Sequence, residues 1–290
     1  MDVFAEEKYA GNQLAVFTEG HLFSDEEMQL LAKEMNYSET TFIFPEESSG
    51  NTFKVRIFTP EKEVPFAGHP TLGTAYIIQR ELLQGKPEEI ILDLQVGKIP
   101  VTLTYGPDGK VEGLTMRQVN PTFGQVVEKE AIAQVLSLEL TEIDERYPVQ
   151  EVSTGLPFLI VPLKQLAAVQ KAKVNVEALM KLTEALEAKA VFIFSPETYE
   201  TGNQLNSRMF GHCYGIVEDP ATGSANGCLA GYLLKYGYFG EGSLNIKVEQ
   251  GYEIGRKSLL YLSGFREGEE YRILVGGQVQ AVAKGELLGK

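Results

Sequence analysis

The chain reads Glu63-Val64-Pro65-Phe66-Ala67-Gly68-His69-Pro70 at one turn and, 155 residues later (63 to 218), Glu218-Asp219-Pro220-Ala221-Thr222-Gly223-Ser224-Ala225 at another. Both turns share Glu-x-Pro-x-x-Gly, and each precedes a run of helical composition, residues 74–83 and 228–236. The pattern predicts a turn that leads into a helix N-terminus, where Pro70 suits the first helical turn. Free backbone N–H groups and the helix dipole favour an anion at such an end. We expect the active site where the two ends face each other across a shared cleft.

Further matches in the same order indicate that the two turns belong to an internal duplication. Their spacing drifts from 144 to 150 to 155 residues, as small loop insertions would cause. A repeat of roughly 150 residues is too long for a solenoid and predicts two lobes with pseudo-twofold symmetry. The matched pairs are Arg56-x-Phe58 with Arg208-x-Phe210, Phe42-Ile43-Phe44 with Phe192-Ile193-Phe194, and Gly11 with Gly155.

Local patterns give a first outline of the lobes. A capping box at residues 24–27 predicts an amphipathic helix of about eleven residues, and the alternation over residues 52–59 predicts a strand with one wet face. The first lobe is predicted to span residues 1–117 and the second residues 118–276. A final strand within 277–290 is predicted to return to the first lobe. No long linker separates the lobes, so we expect a rigid pair with a cleft.

Composition excludes several classes of protein. With 40 acidic and 26 basic residues the formal net charge is −14, which argues against a nucleic-acid partner because phosphates require a basic face. Only two cysteines occur, Cys213 and Cys228, so no disulfide framework is expected and a reducing compartment is favoured. No apolar run approaches the roughly 20 residues of a membrane span. We expect a cytosolic protein that binds a small molecule.

Three polar residues of the turns are candidates for chemistry. His69 titrates near neutrality and can carry a proton or donate to a substrate carboxylate, although capping the helix is an equally good interpretation. Asp219 precedes a proline and is by default a turn-forming residue. Ser224 as a helix N-cap is likewise ordinary. No metal motif or phosphate loop is present, so no metal or cofactor is expected, and Cys228 is predicted to be a packing residue.

Glu39 is a fourth candidate because it breaks the symmetry of the repeat. Its partner 150 residues later is Lys189, so this carboxylate is expected in one lobe only. Beside Phe42 and Phe66, a buried carboxyl would have its pKa raised from roughly 4.3 toward neutrality and could take and return a proton. The competing interpretation is a solvent-exposed glutamate after a helix.

Taken together, these segments resemble the PhzF-like (phenazine biosynthesis-like) isomerase family, and the resemblance spans nearly the whole chain. The two glycine-centred turns and Ser38-Glu39-Thr40 make it specific. The segments that carry it are Asp2-Val3-Phe4, residues 11–16, residues 38–42, Phe58-Thr59-Pro60, residues 65–73, residues 219–225 and Val275-Gly276-Gly277.

The resemblance implies an α+β, diaminopimelate epimerase-like fold with two similar lobes, each a curved, mainly antiparallel sheet around a central helix. It also implies isomerisation without metal or cofactor, commonly in a homodimer. The family's acid/base falls on Glu39. Its substrate-holding and supporting polar groups fall on His69, Asp219 and Ser224, while Gly68 and Gly223 allow close backbone approach. Pro70 is predicted to lie with them at the substrate site.

The related epimerases and racemases use a cysteine thiol at each helix head, whereas the nearest positions here are Ala67-Gly68 and Thr222-Gly223. We therefore expect one carboxylate to move a proton between two carbons of a small carboxylate metabolite. A two-base epimerase or racemase of an amino or hydroxy acid, and a catalytically silent binding protein on the same fold, are the alternatives. The substrate is not determined, and the variable stretch 200–206 is expected to shape the pocket.

Overall fold

The structure, a computed structural model, describes residues 1–288; the last two residues of the predicted 277–290 strand segment lie outside the described residues. Contacts divide the chain into two compact units. Unit 1 comprises Met1–Met116 together with the described residues from Gly277 onward, and unit 2 comprises Arg117–Gly276. None of the helices in residues 1–288 is long and apolar enough to span a bilayer.

Residues 1–288 form eighteen strands and six α-helices, together with a few short 3₁₀ and π-helical segments. The strands are β1 (Asp2–Val3), β2 (Asn12–Phe17), β3 (Glu39–Ser49), β4 (Thr52–Phe58), β5 (Glu63–Val64), β6 (Glu89–Leu94), β7 (Gly97–Tyr105), β8 (Val111–Arg117), β9 (Thr122–Val127), β10 (Val149–Ser153), β11 (Pro157–Pro162), β12 (Val191–Ser195), β13 (Leu205–Gly211), β14 (Ile216–Asp219), β15 (Ser243–Gln250), β16 (Ser258–Glu267), β17 (Glu270–Gly277) and β18 (Val279–Gln280). The helices are α1 (Asp25–Met35), α2 (Gly68–Ile77), α3 (Lys129–Leu136), α4 (Leu166–Lys171), α5 (Val176–Thr183) and α6 (Gly223–Lys235).

The two units pair their strands in the same order. In unit 1, β18, β1 and β2 are antiparallel neighbours, β2 and β3 are parallel, β3 and β4 are antiparallel, β4 and β6 are parallel, and β6, β7 and β8 form a meander. In unit 2 the same sequence of pairings runs through β9, β10, β11, β12, β13, β15, β16 and β17. Each unit also carries a short antiparallel hairpin, β4–β5 or β13–β14, just before its long buried helix.

Each sheet is covered by helices on both faces. In unit 1, Thr41 of β3 hydrogen-bonds Thr74 of α2 at 2.8 Å, whereas Phe42 points the other way and packs with Met28 and Ala32 of α1. This follows from strand geometry, since successive side chains point to opposite faces. Helix α1 begins at the predicted capping box, in which Ser24 and Glu27 bond each other's backbone N–H groups.

Unit 2 repeats this layering. Phe194 of β12 contacts the ring of Tyr232 in α6, with centroids 6.0 Å apart. Ile193, on the opposite face, belongs to a core cluster with Val169 of α4 and Leu179 of α5. Helices α2 and α6 therefore occupy equivalent positions in their units. The long helices begin at Gly68 and Gly223, at the turns that were predicted to lead into helix N-termini and ahead of the helical runs 74–83 and 228–236.

Strand register corrects one alignment of the repeat. Phe42 pairs with Arg56 in unit 1, and Ile193, not Phe192, pairs with Arg208 in unit 2. The equivalent of Glu39 by the same register is Ala190, so the predicted partner Lys189 is wrong. Matching identical letters had shifted the alignment by one residue, which exchanges the two faces of a strand. The ammonium group of Lys189 instead donates to the carbonyls of Thr183 and Leu186 at the end of α5.

The shared Arg and Glu of the two repeats form the same ion pair. Arg56 donates from Nε and Nη2 to the two carboxylate oxygens of Glu63, at 2.8 and 2.7 Å. Arg208 holds Glu218 in the same way, at 2.9 and 2.7 Å. Each pair is bidentate and fixes the hairpin that leads into the long helix. The first residue of Glu-x-Pro-x-x-Gly is therefore structural in both units.

Candidate active site

The first candidate group is the pair formed by Glu39 and His69 in unit 1. Glu39 is the first residue of β3, and His69 is the second residue of α2. Their side chains bring Glu39 Oε2 to 3.2 Å from His69 Nε2, and they are only 18% and 7% exposed. The interpretation of Glu39 as a solvent-exposed glutamate is therefore wrong.

Glu39 does not lie beside Phe42, contrary to the sequence expectation. The two residues are three apart in β3, so their side chains project from opposite faces of the sheet. Phe42 packs under α1, whereas Glu39 shares the α2 face with Thr41, which bonds Thr74. The environment of the carboxyl group is therefore set by the head of α2.

Burial fixes the protonation of His69. It lowers the pKa of His69 to about 3, and the backbone carbonyl of Gln13, which accepts a hydrogen bond from the ring, opposes that shift only in part. The imidazole is therefore neutral at pH 7. His69 Nε2 makes no hydrogen bond, so the N–H that meets the Gln13 carbonyl belongs to the other ring nitrogen, and Nε2 presents a lone pair toward Glu39.

The head of α2 is not capped by a side chain. Ala67 is the N-cap, with extended backbone, and its carbonyl accepts from the Thr71 N–H at 3.3 Å and the Thr71 hydroxyl at 2.8 Å. His69 as a helix cap is therefore a wrong interpretation. Because Pro70 has no N–H, the backbone donors left at this end within residues 1–288 are those of Gly68 and His69.

The head of α6 in unit 2 is built around a buried polar network. Thr222 is the N-cap, so the interpretation of Ser224 as N-cap is wrong. The Thr222 hydroxyl donates to Asp219 Oδ2, and Gln250 Nε2 donates to the Asp219 carbonyl at 2.8 Å. Gln250 Oε1 in turn accepts from the Thr222 N–H and from Asn226 Nδ2, both at 3.1 Å. Asp219 is buried at the head of α6, and its hydrogen bond from Thr222 stabilises the turn.

Several of these partners have no signal in the sequence. Gln250 enters the network from β15, twenty-eight residues after Thr222 (222 to 250), and Gln13 contributes a backbone carbonyl, which residue type does not reveal.

The start of the variable stretch 200–206 is fixed by the buried carboxylate of Glu249, which accepts hydrogen bonds from the N–H groups of Tyr199 and Glu200 at 2.8 Å. Within residues 1–288 no group of three or more His, Cys, Asp or Glu side chains is arranged to hold a metal ion.

The pKa of His69 makes stability depend on pH. The unfolded chain binds a proton at His69 below about 6.5, whereas the folded chain resists it until about 3, so folding stability falls as the pH drops through this window. The slope from one such group is at most about 1.4 kcal/mol per pH unit. We expect His69→Gln to flatten the pH dependence of the urea midpoint between pH 6.5 and 4, relative to wild type. The exposed His21, paired with Glu46, supplies the control His21→Gln, and equal slopes for all three proteins would contradict the assignment.

Burial suppresses the reactivity of the cysteine in the second turn of α6. Cys228, the sixth residue of α6, has a Sγ 3.5 Å from the Leu156 carbonyl, and burial raises the pKa of its thiol to about 11. We expect iodoacetamide at pH 8 to alkylate Cys213, which is partly exposed, and to leave Cys228 unmodified until the protein is unfolded. Peptide mass spectrometry of native and urea-treated samples measures both sites. Modification of Cys228 in the native sample at the rate of Cys213 would contradict this account.

Comparison with known proteins identifies a matching family and relatives that are similar over the whole length of the chain. The family described as phenazine biosynthesis-like protein (PhzC-PhzF) matches residues 1–285. Trans-2,3-dihydro-3-hydroxyanthranilate isomerase from Pseudomonas aeruginosa is 35% identical over 286 residues, covering 98% of this chain and 96% of the relative. An uncharacterised isomerase of Clostridium acetobutylicum is 32% identical over 297 residues, covering 99% of this chain and 96% of the relative.

Solved structures confirm the predicted α+β, diaminopimelate epimerase-like fold. The Bacillus anthracis phenazine biosynthesis protein of the PhzF family superposes with a TM-score of 0.87 at 27% identity, covering 95% of this chain and 93% of that one. A probable proline racemase from Agrobacterium radiobacter superposes with a TM-score of 0.58 at 10% identity, covering 90% and 82% of the two chains, which shows the shared fold alone.

Proposed function

Because this chain belongs to the phenazine biosynthesis-like protein family, as its resemblance predicted, and is an isomerase of that family, we propose that it moves a proton between two carbons of one small carboxylate, with Glu39 as the acid/base. The observation that carries the proposal is the approach of Glu39 Oε2 to 3.2 Å from His69 Nε2 at the head of α2. No metal or redox group takes part in the proposed step.

The proposed step neither consumes nor releases a proton, and the protein groups that it uses are Glu39 and His69. The carboxylate of Glu39 takes a proton from a carbon next to an activating group, and the electron pair of that C–H bond moves into the conjugated system of the substrate. The resulting carboxylic acid can donate to the lone pair of His69 Nε2, which stabilises the protonated form while the substrate is an anion. While it is protonated, Glu39 exchanges its acidic hydrogen with solvent through its 18% exposed side chain, and it then delivers a proton to a different carbon, so no proton is gained or lost overall.

The helix heads are proposed to hold the negative charge of the substrate. The N–H groups of Gly68 and His69 and the positive end of α2 favour the substrate carboxylate or the developing anion, and Pro70 is proposed to lie beside this substrate. Gly223, Ser224 and Asp219 are proposed to bind substrate at the head of α6. Since no thiol occupies either helix head, one-base transfer is favoured over two-base racemisation.

The name of the Pseudomonas aeruginosa relative provides a first probe, trans-2,3-dihydro-3-hydroxyanthranilate. We expect the purified chain in D₂O to isomerise this compound or a close dihydroaromatic carboxylate, and to place deuterium at the carbon that receives the proton. Proton and mass spectra of substrate and product measure this incorporation. Isomerisation without deuterium in either compound, or loss of optical rotation without movement of a double bond, would contradict the proposal. The homodimer and the cytosolic location remain predictions.

A further inference from the structure

We infer that Gln118 is a further substrate-contacting residue, whose carboxamide recognises a neutral hydroxyl or amino substituent on the carboxylate held at the head of α6. The inference rests on the proposed function in one respect: it takes the head of α6 as an end that holds the substrate. Its evidence is independent of Glu39 and His69, because it comes from the packing around the first turns of α6.

The backbone around Gln118 is fixed at several points. The Gln118 N–H donates to the Ile273 carbonyl at 2.9 Å, and the Asn120 side chain accepts from the Tyr271 N–H at 3.0 Å. Pro121 lies against α6, because a Cβ on Gly231 would stand 2.8 Å from the Pro121 Cβ. These contacts fix the backbone of residues 118–121 against α6, and they thereby fix where the Gln118 side chain begins.

The side chain of Gln118 lies directly on α6. A Cβ on Gly227 would stand 2.8 Å from Gln118 Oε1 and 3.0 Å from the Thr154 hydroxyl. That same hydroxyl donates to the Ser224 carbonyl, in the first turn of the helix, at 3.4 Å. The lack of a side chain at Gly227 thus creates the space in which the carboxamide sits beside the first turn of α6.

The carboxamide in this space has no protein partner. Gln118 is only 6% exposed, and no hydrogen bond joins its side chain to another residue in the part of the chain that the structure describes. Its carboxamide atoms are not among the fully enclosed unpaired polar atoms, so the group still reaches the surface, where a ligand can contact it. A carboxamide that is nearly buried and has no protein partner leaves its donor and its acceptor available to water or to a ligand. A bound ligand would supply both an acceptor for the amide nitrogen and a donor for its oxygen.

The donor and acceptor of the Gln118 carboxamide indicate which chemical group of a ligand would pair with it. A carboxylate alone offers only acceptors, and the free N–H groups of Gly223 and Ser224 already suit it. A hydroxyl or amino group both donates and accepts, so it matches the two ends of a carboxamide. The structure thus favours a substrate that carries such a substituent beside its carboxylate over a plain unsaturated acid.

Binding of two stable aromatic probes tests this inference without requiring turnover. Titration calorimetry would compare 2-amino-3-hydroxybenzoate with benzoate, which has the carboxylate alone. We expect wild type to bind the substituted acid about tenfold more tightly, and Gln118→Leu to reduce this ratio by about tenfold while the Kd for benzoate changes by less than about twofold. Gly227→Ala, which displaces the carboxamide, should reduce the ratio in the same way.

Two readouts separate this role from a purely structural one. Leucine keeps most of the bulk of the side chain and breaks no hydrogen bond to another residue, so Gln118→Leu should melt close to the wild-type temperature. The exposed Gln134→Ala is the matched control and should change neither the ratio nor the Tm. A lower Tm with equal weakening of both acids, no preference in wild type, or no binding of either acid would overturn the inference. If Gln118→Leu loses the preference while wild type shows no deuterium transfer, the proposed reaction fails and the inference stands.

Discussion

Glu39→Gln is expected to lower kcat for isomerisation by about 10²- to 10⁴-fold, the usual contribution of a positioned acid/base group. An amide cannot accept and return a carbon-bound proton, so deuterium incorporation from D₂O should disappear with the rate. The fold should persist, because the glutamine amide can still donate to the His69 Nε2 that lies 3.2 Å from the present Oε2. KM should change little, since the substrate anion is proposed to bind the helix-head amides. Stopped-assay kinetics and NMR exchange measure these quantities.

The matched control is Glu46→Gln in the same strand. Its carboxylate is about half-exposed and pairs with His21 at 3.0 Å, so the same chemical change is made without touching the pair at the head of α2. Its kcat and its deuterium exchange should equal those of wild type. If Glu39→Gln retained exchange, or if both variants slowed equally, another residue would have to carry the proton.

The turn-to-helix pattern was the most reliable information in the sequence. Both copies of Glu-x-Pro-x-x-Gly lead into a buried helix, at Gly68 and Gly223. The two helix starts could be predicted because glycine and proline constrain the backbone locally. The pattern did not reveal why its first residue recurs. That reason, the bidentate contact of Glu63 with Arg56, depends on a hairpin partner and appears only when the strands are paired.

Long-range geometry was the part that could not be predicted. Glu39 and His69 are thirty residues apart (39 to 69). Their contact depends on the parallel pairing of β2 with β3 and on the packing of α2 against the face of β3 that carries Glu39. The register error at Lys189 has the same origin. Identical letters matched at a spacing of 150, but hydrogen bonding between strands, which distinguishes the two faces, placed Ala190 at that position.

The buried pair Arg208–Glu218 gives the largest expected effect on stability. The two side chains are 10% and 6% exposed, and Arg208 Nη1 also donates to the carbonyls of Val169 and Ala172 at 2.8 and 3.0 Å. Arg208→Ala would leave Glu218 charged in a buried site, with Glu253, whose pKa burial raises, also close to Arg208. Removing one partner of such a pair costs about 3–5 kcal/mol. For a unit of this size that corresponds to a fall in Tm of roughly 6–20 °C by calorimetry.

Unit 1 supplies the matched comparison, because the equivalent pair Arg56–Glu63 is 21% and 22% exposed. Arg56→Ala should therefore cost less, roughly 1–2 kcal/mol, since water can solvate the carboxylate that remains. The double variant Arg208→Met with Glu218→Leu removes both charges and fills the space, so its Tm should return to near that of wild type. Equal losses from the two alanine variants, or a double variant as unstable as Arg208→Ala, would show that burial of the carboxylate is not what makes Arg208 necessary.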